Sequence, residues 1–317
     1  MEAVTRWQDA SHLKRWLIAV RAPVLLLTLQ TMGIAGLIGA AHAQFDLAIW
    51  VLCTVTLMFA HATNNLLNDY VDYYRSVDSD GYFRRQYGPH PLADGLISHR
   101  AFLIYLGCTG AFAMCGACLI YLLGGNAVLL PATAGALLLL FYTWPLKSKG
   151  LGEASVYLAW GPLMFVGISA ASTGDLVAAL SGPLFWASLV YGLGPTLVIM
   201  GKHIDKLAED AGQVGTLPVR LGEARSRQLL IAMIAALYLG SLALIGLGLM
   251  PLTIALCFAS APQAIRLTRM LRRPRPDHCP ADYPESRWPL WFVIEAFSLN
   301  TSFSAWTLLG LGLALVL

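Results

Sequence analysis

Nine long apolar runs, separated by loops whose basic residues all fall on alternate connections, leave this chain few ways to fold. The runs lie roughly at 17–39, 47–67, 101–123, 127–145, 153–171, 181–201, 228–247, 251–268 and 291–316. Each is near the ~20 residues that a helix needs to cross a ~30 Å hydrocarbon layer. Arg6, Lys14, Arg15 and Arg21 precede or open the first run. Arg75, Arg84, Arg85 and Arg100 lie between the second and third, and Lys147 and Lys149 between the fourth and fifth. Lys202, Lys206, Arg220, Arg225 and Arg227 follow the sixth, while Arg266, Arg269, Arg272, Arg273, Arg275 and Arg287 gather around the eighth-to-ninth connection. These are all 21 Lys and Arg of the 317 residues, and the opposite loops carry none. The positive-inside rule therefore puts the N-terminus and every basic loop in the cytoplasm and the C-terminus outside. The chain reads as an all-α, polytopic membrane helix bundle of about nine transmembrane helices, in an inner or plasma membrane. With 57% hydrophobic and 12% charged residues and a net charge of only +3, neither a soluble domain nor a nucleic-acid binder fits.

The N-terminal end needs one decision. Ala41-His42-Ala43 imitates a signal-peptidase site, but the preceding run is near 20 residues long and opens on Arg21 and Pro23, so it reads as a retained span. Residues 1–16, with Trp7, Leu13 and Trp16 among charges, read as a short interfacial helix. Cys115 and Cys118 sit inside an apolar run without partner ligands and read as small packing residues. The basic, Pro-rich stretch Arg272-Arg273-Pro274-Arg275-Pro276 suits contact with anionic membrane lipid.

Two polar clusters break the pattern. The first, from Asn64 to Asp78, closes the second run, and Asn65, Asn68, Asp69 and Asp72 fall at i, i+3, i+4 and i+7 on one helical face. The second, Lys202 to Asp210, closes the sixth run, with Asp205 and Glu209 one turn apart. Regions 69–100 and 202–227 thus form two acidic cytoplasmic segments four spans apart, as in a duplicated four-helix unit with one helix added. Acids at a membrane boundary persist where they pair, bind ions or line a wet cavity. Two facing carboxylate groups suit two Mg²⁺ ions, which prefer oxygen ligands and share them with substrate phosphates. Nearby Arg and Lys would hold the remaining phosphate charge. An allylic diphosphate neutralised in this way ionises to a carbocation, and aromatic rings such as Tyr73, Tyr142, Tyr157 and Trp160 are candidates to face it.

These residues carry a resemblance. Asn68-Asp69-x-x-Asp72 with a following Asp78 is similar to the first Asp-rich motif of the UbiA superfamily of intramembrane prenyltransferases, and Asp205-x-x-x-Glu209 before Gly-Thr-Leu-Pro-Val-Arg-Leu-Gly is similar to the second. The segments Pro91-Leu92 to Ser98 and Phe141 to Glu153 match in the same order, so the likeness runs from Arg21 to the seventh helix. The spacing of Asp69, Asp72 and Asp78 most resembles the 1,4-dihydroxy-2-naphthoate prenyltransferase branch of menaquinone synthesis. The resemblance implies one membrane domain over residues 1–317, Mg²⁺, a prenyl diphosphate donor and an aromatic acceptor. It implies catalytic and metal roles for Asn68, Asp69, Asp72, Asp78, Asp205 and Glu209, with Asp210 as a substitute ligand, and diphosphate contacts from Arg84, Arg85, Lys147, Lys149 and Lys202. The chain departs from the pattern at Glu209, where Asp is usual, at His90 in place of Arg, and at Lys202 and Ile204.

The activity expected is transfer of an isoprenoid chain from an allylic diphosphate to an aromatic or quinone-precursor acceptor. A UbiA-type terpene cyclase, which needs no acceptor, is the alternative. An ion-coupled transporter fits less well, because both acid clusters lie on one side and most spans hold no deeper charge.

Overall fold

The computed structural model describes residue 7 and residues 9–42, 45–75, 77 and 83–317, with the side chains of Arg84 and Arg85 outside the described set. Asp78 also lies outside it. Among the described residues there are helices and turns but no strands. We number the principal helices α1 (His12–Ala19), α2 (Leu26–Ala41), α3 (Leu47–Tyr74), α4 (His99–Gly124), α5 (Leu129–Phe141), α6 (Gly152–Thr173), α7 (Pro183–Asp205), α8 (Glu223–Gly246), α9 (Ala261–Leu271) and α10 (Phe292–Ala314).

Each apolar run of the sequence coincides with helical structure. By length and apolarity six segments among the described residues are able to cross a membrane, and one of these covers 51 residues, His99–Lys149. That segment does not run straight. It breaks at Gly124 and Gly125, and Gly125 takes φ +64°, which only glycine adopts cheaply. Both of its ends return to the same end of α3: the Tyr74 hydroxyl lies 2.9 Å from His99 Nδ1, and Lys147 Nζ lies 2.7 Å from Asp72 Oδ2. The segment therefore goes out as α4 and back as α5. The stretch Leu252–Leu271 and helix α10 fall short of the same apolarity, α9 because it carries Arg266 and Arg269, α10 because of polar residues such as Glu295, Asn300 and Thr301.

α1 is more firmly docked than an interfacial helix requires. Ser11 caps it through Lys14 N at 3.3 Å, and Trp16 donates its indole N–H to Thr109 Oγ1 of α4 at 2.9 Å. Between α1 and α2 the chain turns at Arg21, whose φ of +56° is strained for a residue with a side chain. Its guanidinium is held by Asp69, which offsets that strain.

α6 is kinked where Pro162 removes an N–H and Gly161 leaves helical geometry at φ −101°, ψ −108°. The kink lets α6 cross α7 closely. A Cβ on Gly161 would come 2.8 Å from Ser188 O, and one on Gly192 would come 2.8 Å from Gly161 Cα. Small residues at such a crossing allow backbone-to-backbone packing. The crossing fixes Trp160, the residue before the kink.

α10 is covered by the other helices over much of its length, with Phe292, Ala296, Leu299 and Phe303 all buried. One of its polar residues is tied to α2 inside the bundle: Asn300 Nδ2 donates to Gln30 Oε1 at 3.1 Å.

Candidate active site

α3 has 28 residues, so it is ~42 Å long, against ~30 Å of hydrocarbon. Its last three turns can therefore carry the polar face that the sequence spacing predicts. Asn65, Asp69 and Asp72 are buried there, and each has a partner from a different part of the chain. Asn65 Nδ2 donates to Val20 O at 2.9 Å, anchoring the turn before Arg21. Asp69 pairs with Arg21, and His90 Nε2 lies 4.0 Å from the same carboxylate oxygen. Asp72 accepts from Lys147 Nζ at 2.7 Å and from Asn68 Nδ2 at 3.2 Å. Lys147 also donates to Asn68 Oδ1 at 3.2 Å, and Thr143 to the same oxygen at 3.3 Å.

Lys147 reaches this point because α5 ends abruptly. Trp144 is extended (φ −146°, ψ 130°), the geometry that a following proline imposes, and Pro145 then turns the chain back toward α3. Lys147 ends buried, at 3% exposure, whereas Lys149, two residues on, faces outward.

The second cluster closes the opposite wall. Lys206 Nζ pairs with Asp210 Oδ1 at 3.0 Å, and Thr216 Oγ1 donates to Asp210 Oδ2 at 3.4 Å. His203 Nδ1 lies 2.7 Å from Glu153 Oε1, joining the end of α7 to the start of α6. The loops that carry the two clusters touch. Val77, the residue before Asp78, packs on Val214, and Arg220 donates to Gly215 O at 3.0 Å and to Ser148 O at 3.4 Å.

A cavity of about 1030 Å³ opens from this polar end into the bundle. Arg21, Asn68, Asp72, Lys147, Lys202 and Lys206 line its polar part, and Leu57, Ile120, Leu163 and Phe297 part of its apolar wall. An amphiphile with an anionic head and a hydrocarbon tail matches that division.

The expected site residues sort clearly. Asn68, Asp72, Lys147, Lys202, Tyr142 and Trp160 line the cavity, with Asp69 directly behind them through Arg21. Tyr73 does not line it; it is 40% exposed on the outer face of α3. Tyr157 points into the α6–α7 contact and donates to Leu189 O at 2.8 Å. Lys149 faces away, and Arg84, Arg85 and Asp78 cannot be placed among the described side chains.

Asp205 differs most from the expectation. Its carboxylate accepts the backbone N–H groups of Trp291, Phe292 and Val293 at 2.9, 2.8 and 2.9 Å, with Arg275 Nε at 3.8 Å. It therefore caps the N-terminus of α10, where the open N–H groups and the helix dipole favour an anion. Both of its oxygens are engaged, and it does not line the cavity. Within the second cluster, Asp210 is held by Lys206 and Thr216, whereas Glu209 Oε2 is buried with no hydrogen-bond partner among the described residues.

Sequence reasoning passed over Arg21, Lys206, His203 and Glu153 as site residues. The signal was present for Lys206, which lies four residues from Asp210 on one helical face. Nothing in the sequence pairs Glu153 with His203, 50 positions apart.

The donor set suits a hard divalent cation. Asn68 and Asp72 offer oxygens at the cavity surface, whereas Glu209 Oε2, a buried acceptor with no hydrogen-bond partner among the described residues, does not line the cavity. No group of three or more His, Cys, Asp or Glu able to hold a metal by themselves occurs among the described residues. A cation here would draw part of its coordination from a bound phosphate, as Mg²⁺ commonly does.

Comparison with known proteins agrees with this geometry. The chain is 28% identical over 149 residues to UbiA prenyltransferase domain-containing protein 1 of Xenopus tropicalis, a match that takes in 45% of this chain and 41% of that protein. Its fold resembles the apo structure of a UbiA homolog from Aeropyrum pernix K1, with a TM-score of 0.65 and 18% identity over 91% of this chain and 96% of that one. It also resembles a UbiA homolog from Archaeoglobus fulgidus solved with GPP and Mg²⁺, with a TM-score of 0.58 and 17% identity over 94% and 99% of the two chains. The sequence model that describes the UbiA prenyltransferase family matches residues 30–294, most of the bundle and both clusters. On that match, with the helical fold and the polar-ended cavity beside it, the chain belongs to the UbiA prenyltransferase family.

Proposed function

We propose that this protein transfers an isoprenoid chain from an allylic prenyl diphosphate to an aromatic or quinone-precursor acceptor, with Mg²⁺ as cofactor. The observation that carries the reading is Lys147, buried at the polar end of a long apolar cavity and bonded at once to Asn68 and Asp72. The same division of labour is consistent with the GPP and Mg²⁺ bound by the Archaeoglobus fulgidus homolog. The acceptor class proposed is that of menaquinone synthesis, a dihydroxynaphthoate-like ring, on the spacing of Asp69, Asp72 and Asp78.

In this reading the resting ion pairs exchange partners when substrate binds. Arg21, Lys147, Lys202 and Lys206 turn to the diphosphate oxygens, where charge-assisted hydrogen bonds hold and orient the head group. Asn68, Asp69 and Asp72, with Asp78, would then be the residues that hold Mg²⁺. Glu209 and Asp210, which do not line the cavity at rest, would supply ligands for a second ion. The bound metal would supply Lewis acidity that stabilises the departing diphosphate. As the C1–oxygen bond breaks, the allylic cation lies against Tyr142 and Trp160, whose ring faces stabilise it. The apolar wall keeps water from the cation, so the ring carbon of the acceptor captures it and then loses its proton. The clustered end faces the cytoplasm in this account, as the loop charges argue.

Purified protein in detergent with Mg²⁺ and a panel of allylic diphosphates should release diphosphate and alkylate an aromatic acceptor, detected by mass spectrometry. Asp72→Asn should lower turnover at least ~100-fold, the scale on which a positioned electrostatic group acts. Unchanged turnover in that variant would sink the reading. Hydrocarbon or terpene alcohol formed from the donor alone would replace it with cyclisation.

A further inference from the structure

The apolar part of the cavity contains one polar edge that the transfer chemistry above does not use. His61 lies on α3 on the same face as Asn65, Asn68 and Asp72, at i, i+4, i+7 and i+11. At ~1.5 Å per residue it lies about 10 Å deeper than Asn68 along the helix axis. It lines the cavity together with Trp160, and it is only 6% exposed.

A chain of hydrogen bonds across three helices sets the state of its ring. Trp160 Nε1–H, which can only donate, reaches Thr28 Oγ1 of α2 at 3.1 Å, and Thr28 Oγ1 lies 2.9 Å from His61 Nδ1. Thr28 makes no other side-chain hydrogen bond among the described residues, and donation of its hydroxyl proton to Nδ1 is the arrangement that leaves no proton of the pair between them unpaired. The neutral ring then carries its own proton on Nε2, the edge away from Thr28. The rings of His61 and Trp160 meet edge to face, with centroids 4.8 Å apart and planes at 81°, which locks the orientation. The Nε2–H has no hydrogen-bond acceptor among the described residues. An isoprenoid tail is pure hydrocarbon and offers none, so a cavity filled by the tail alone would cut this cavity-facing donor off from any partner.

We propose that His61 Nε2–H, with the indole of Trp160 beside it, recognises an oxygen of the second substrate, a carbonyl or hydroxyl carried on an aromatic ring. The inference rests on the prenyl-transfer reading and names the feature that would select its acceptor. The ~10 Å from Asn68 to His61 leaves room for one ring system between the diphosphate end and the Nε2 edge. His61 is then a specificity residue, while Thr28 and Trp160 act through it by fixing the tautomer.

The test uses the full chain in detergent and two ring compounds of similar shape, 1,4-naphthoquinone and 1,4-dimethylnaphthalene. Their binding is measured by equilibrium dialysis against protein-free micelles. Wild type should hold the quinone on the order of ten-fold tighter than the hydrocarbon, the scale of one buried hydrogen bond. His61→Leu should erase that preference while keeping its hydrocarbon affinity, and His61→Gln, whose amide still donates, should restore part of it. Thr28→Val should weaken the preference without abolishing it. A preference that survives in His61→Leu, or one absent from wild type, overturns the proposal. Mg²⁺-dependent binding of geranyl diphosphate, measured on the same wild-type preparation, isolates the underlying reading. Its absence alongside an intact quinone preference would discard prenyl transfer and leave the oxygen-recognition site standing.

Discussion

Replacing Asp205 separates two roles that the sequence alone would merge. As a cap it receives three backbone N–H groups, two on Oδ2 and one on Oδ1, all within 2.9 Å. Asn at this position keeps one acceptor oxygen. If that oxygen takes the two-donor place, Phe292 N–H faces an amide NH₂, and Phe292 is fully buried. An unsatisfied buried donor costs roughly 1–3 kcal/mol. Loss of the anion at a helix N-terminus adds about 0.3–2 kcal/mol. Asp205→Asn should therefore destabilise the protein by roughly 1–5 kcal/mol, and Asp205→Ala, which removes all three acceptor contacts, by more. Thermal unfolding in detergent, followed by tryptophan fluorescence, reads the first effect. The Mg²⁺ concentration for half-maximal diphosphate release, measured below the unfolding temperature, reads the second and should stay within about three-fold of wild type. The reverse pattern, wild-type thermal stability with a Mg²⁺ requirement raised more than about ten-fold, would show that Asp205 serves the metal and refute the cap argument.

Other perturbations test neighbouring parts of the site. Lys147→Met leaves Asp72 buried without its ammonium and should cost ~3–5 kcal/mol of stability as well as diphosphate affinity, read by unfolding and by displacement of labelled diphosphate. Lys149→Ala, on the exposed side of the same turn, should change turnover by less than about two-fold. Gly161→Ala places a Cβ 2.8 Å from Ser188 O; it should destabilise by ~1–3 kcal/mol through overpacking and should alter which donor lengths are accepted, because Trp160 precedes the kink. Glu153→Gln weakens the buried contact to His203 and should lower the unfolding temperature by several degrees, ~1–3 kcal/mol for a charged buried partner.

The architecture was legible because it follows from one strong constraint, backbone satisfaction in hydrocarbon, which writes itself as apolar runs and one-sided basic loops. The α3 face was legible for a similar reason: residues on one helix obey a fixed period, and Asn65, Asn68, Asp69 and Asp72 turned inward together. Partners on different helices were not legible. Nothing local told Lys147 from Lys149; the extended Trp144 and the turn at Pro145 aim only the first at Asp72. Asp205 and Glu209 share a spacing with the first cluster, but spacing does not reveal that the N-terminus of α10 arrives beside Asp205. Aromatic residues misled for the same reason, since Tyr73 and Tyr142 are equally plausible in sequence and only the packing turns one outward.

The ion pairs at the polar end also bear on what the protein does between turnovers. Asp69 with Arg21, Asp72 with Lys147 and Asp210 with Lys206 leave the resting chamber close to electroneutral. A membrane pocket full of bare carboxylates would draw in any small cation and, with a cavity reaching into the bundle behind it, risk becoming a leak. Counter-ions tethered to the chain oppose that, since each of these carboxylates is already paired at rest. The charged groups that this fold carries at the membrane boundary are thus held neutralised by the chain itself.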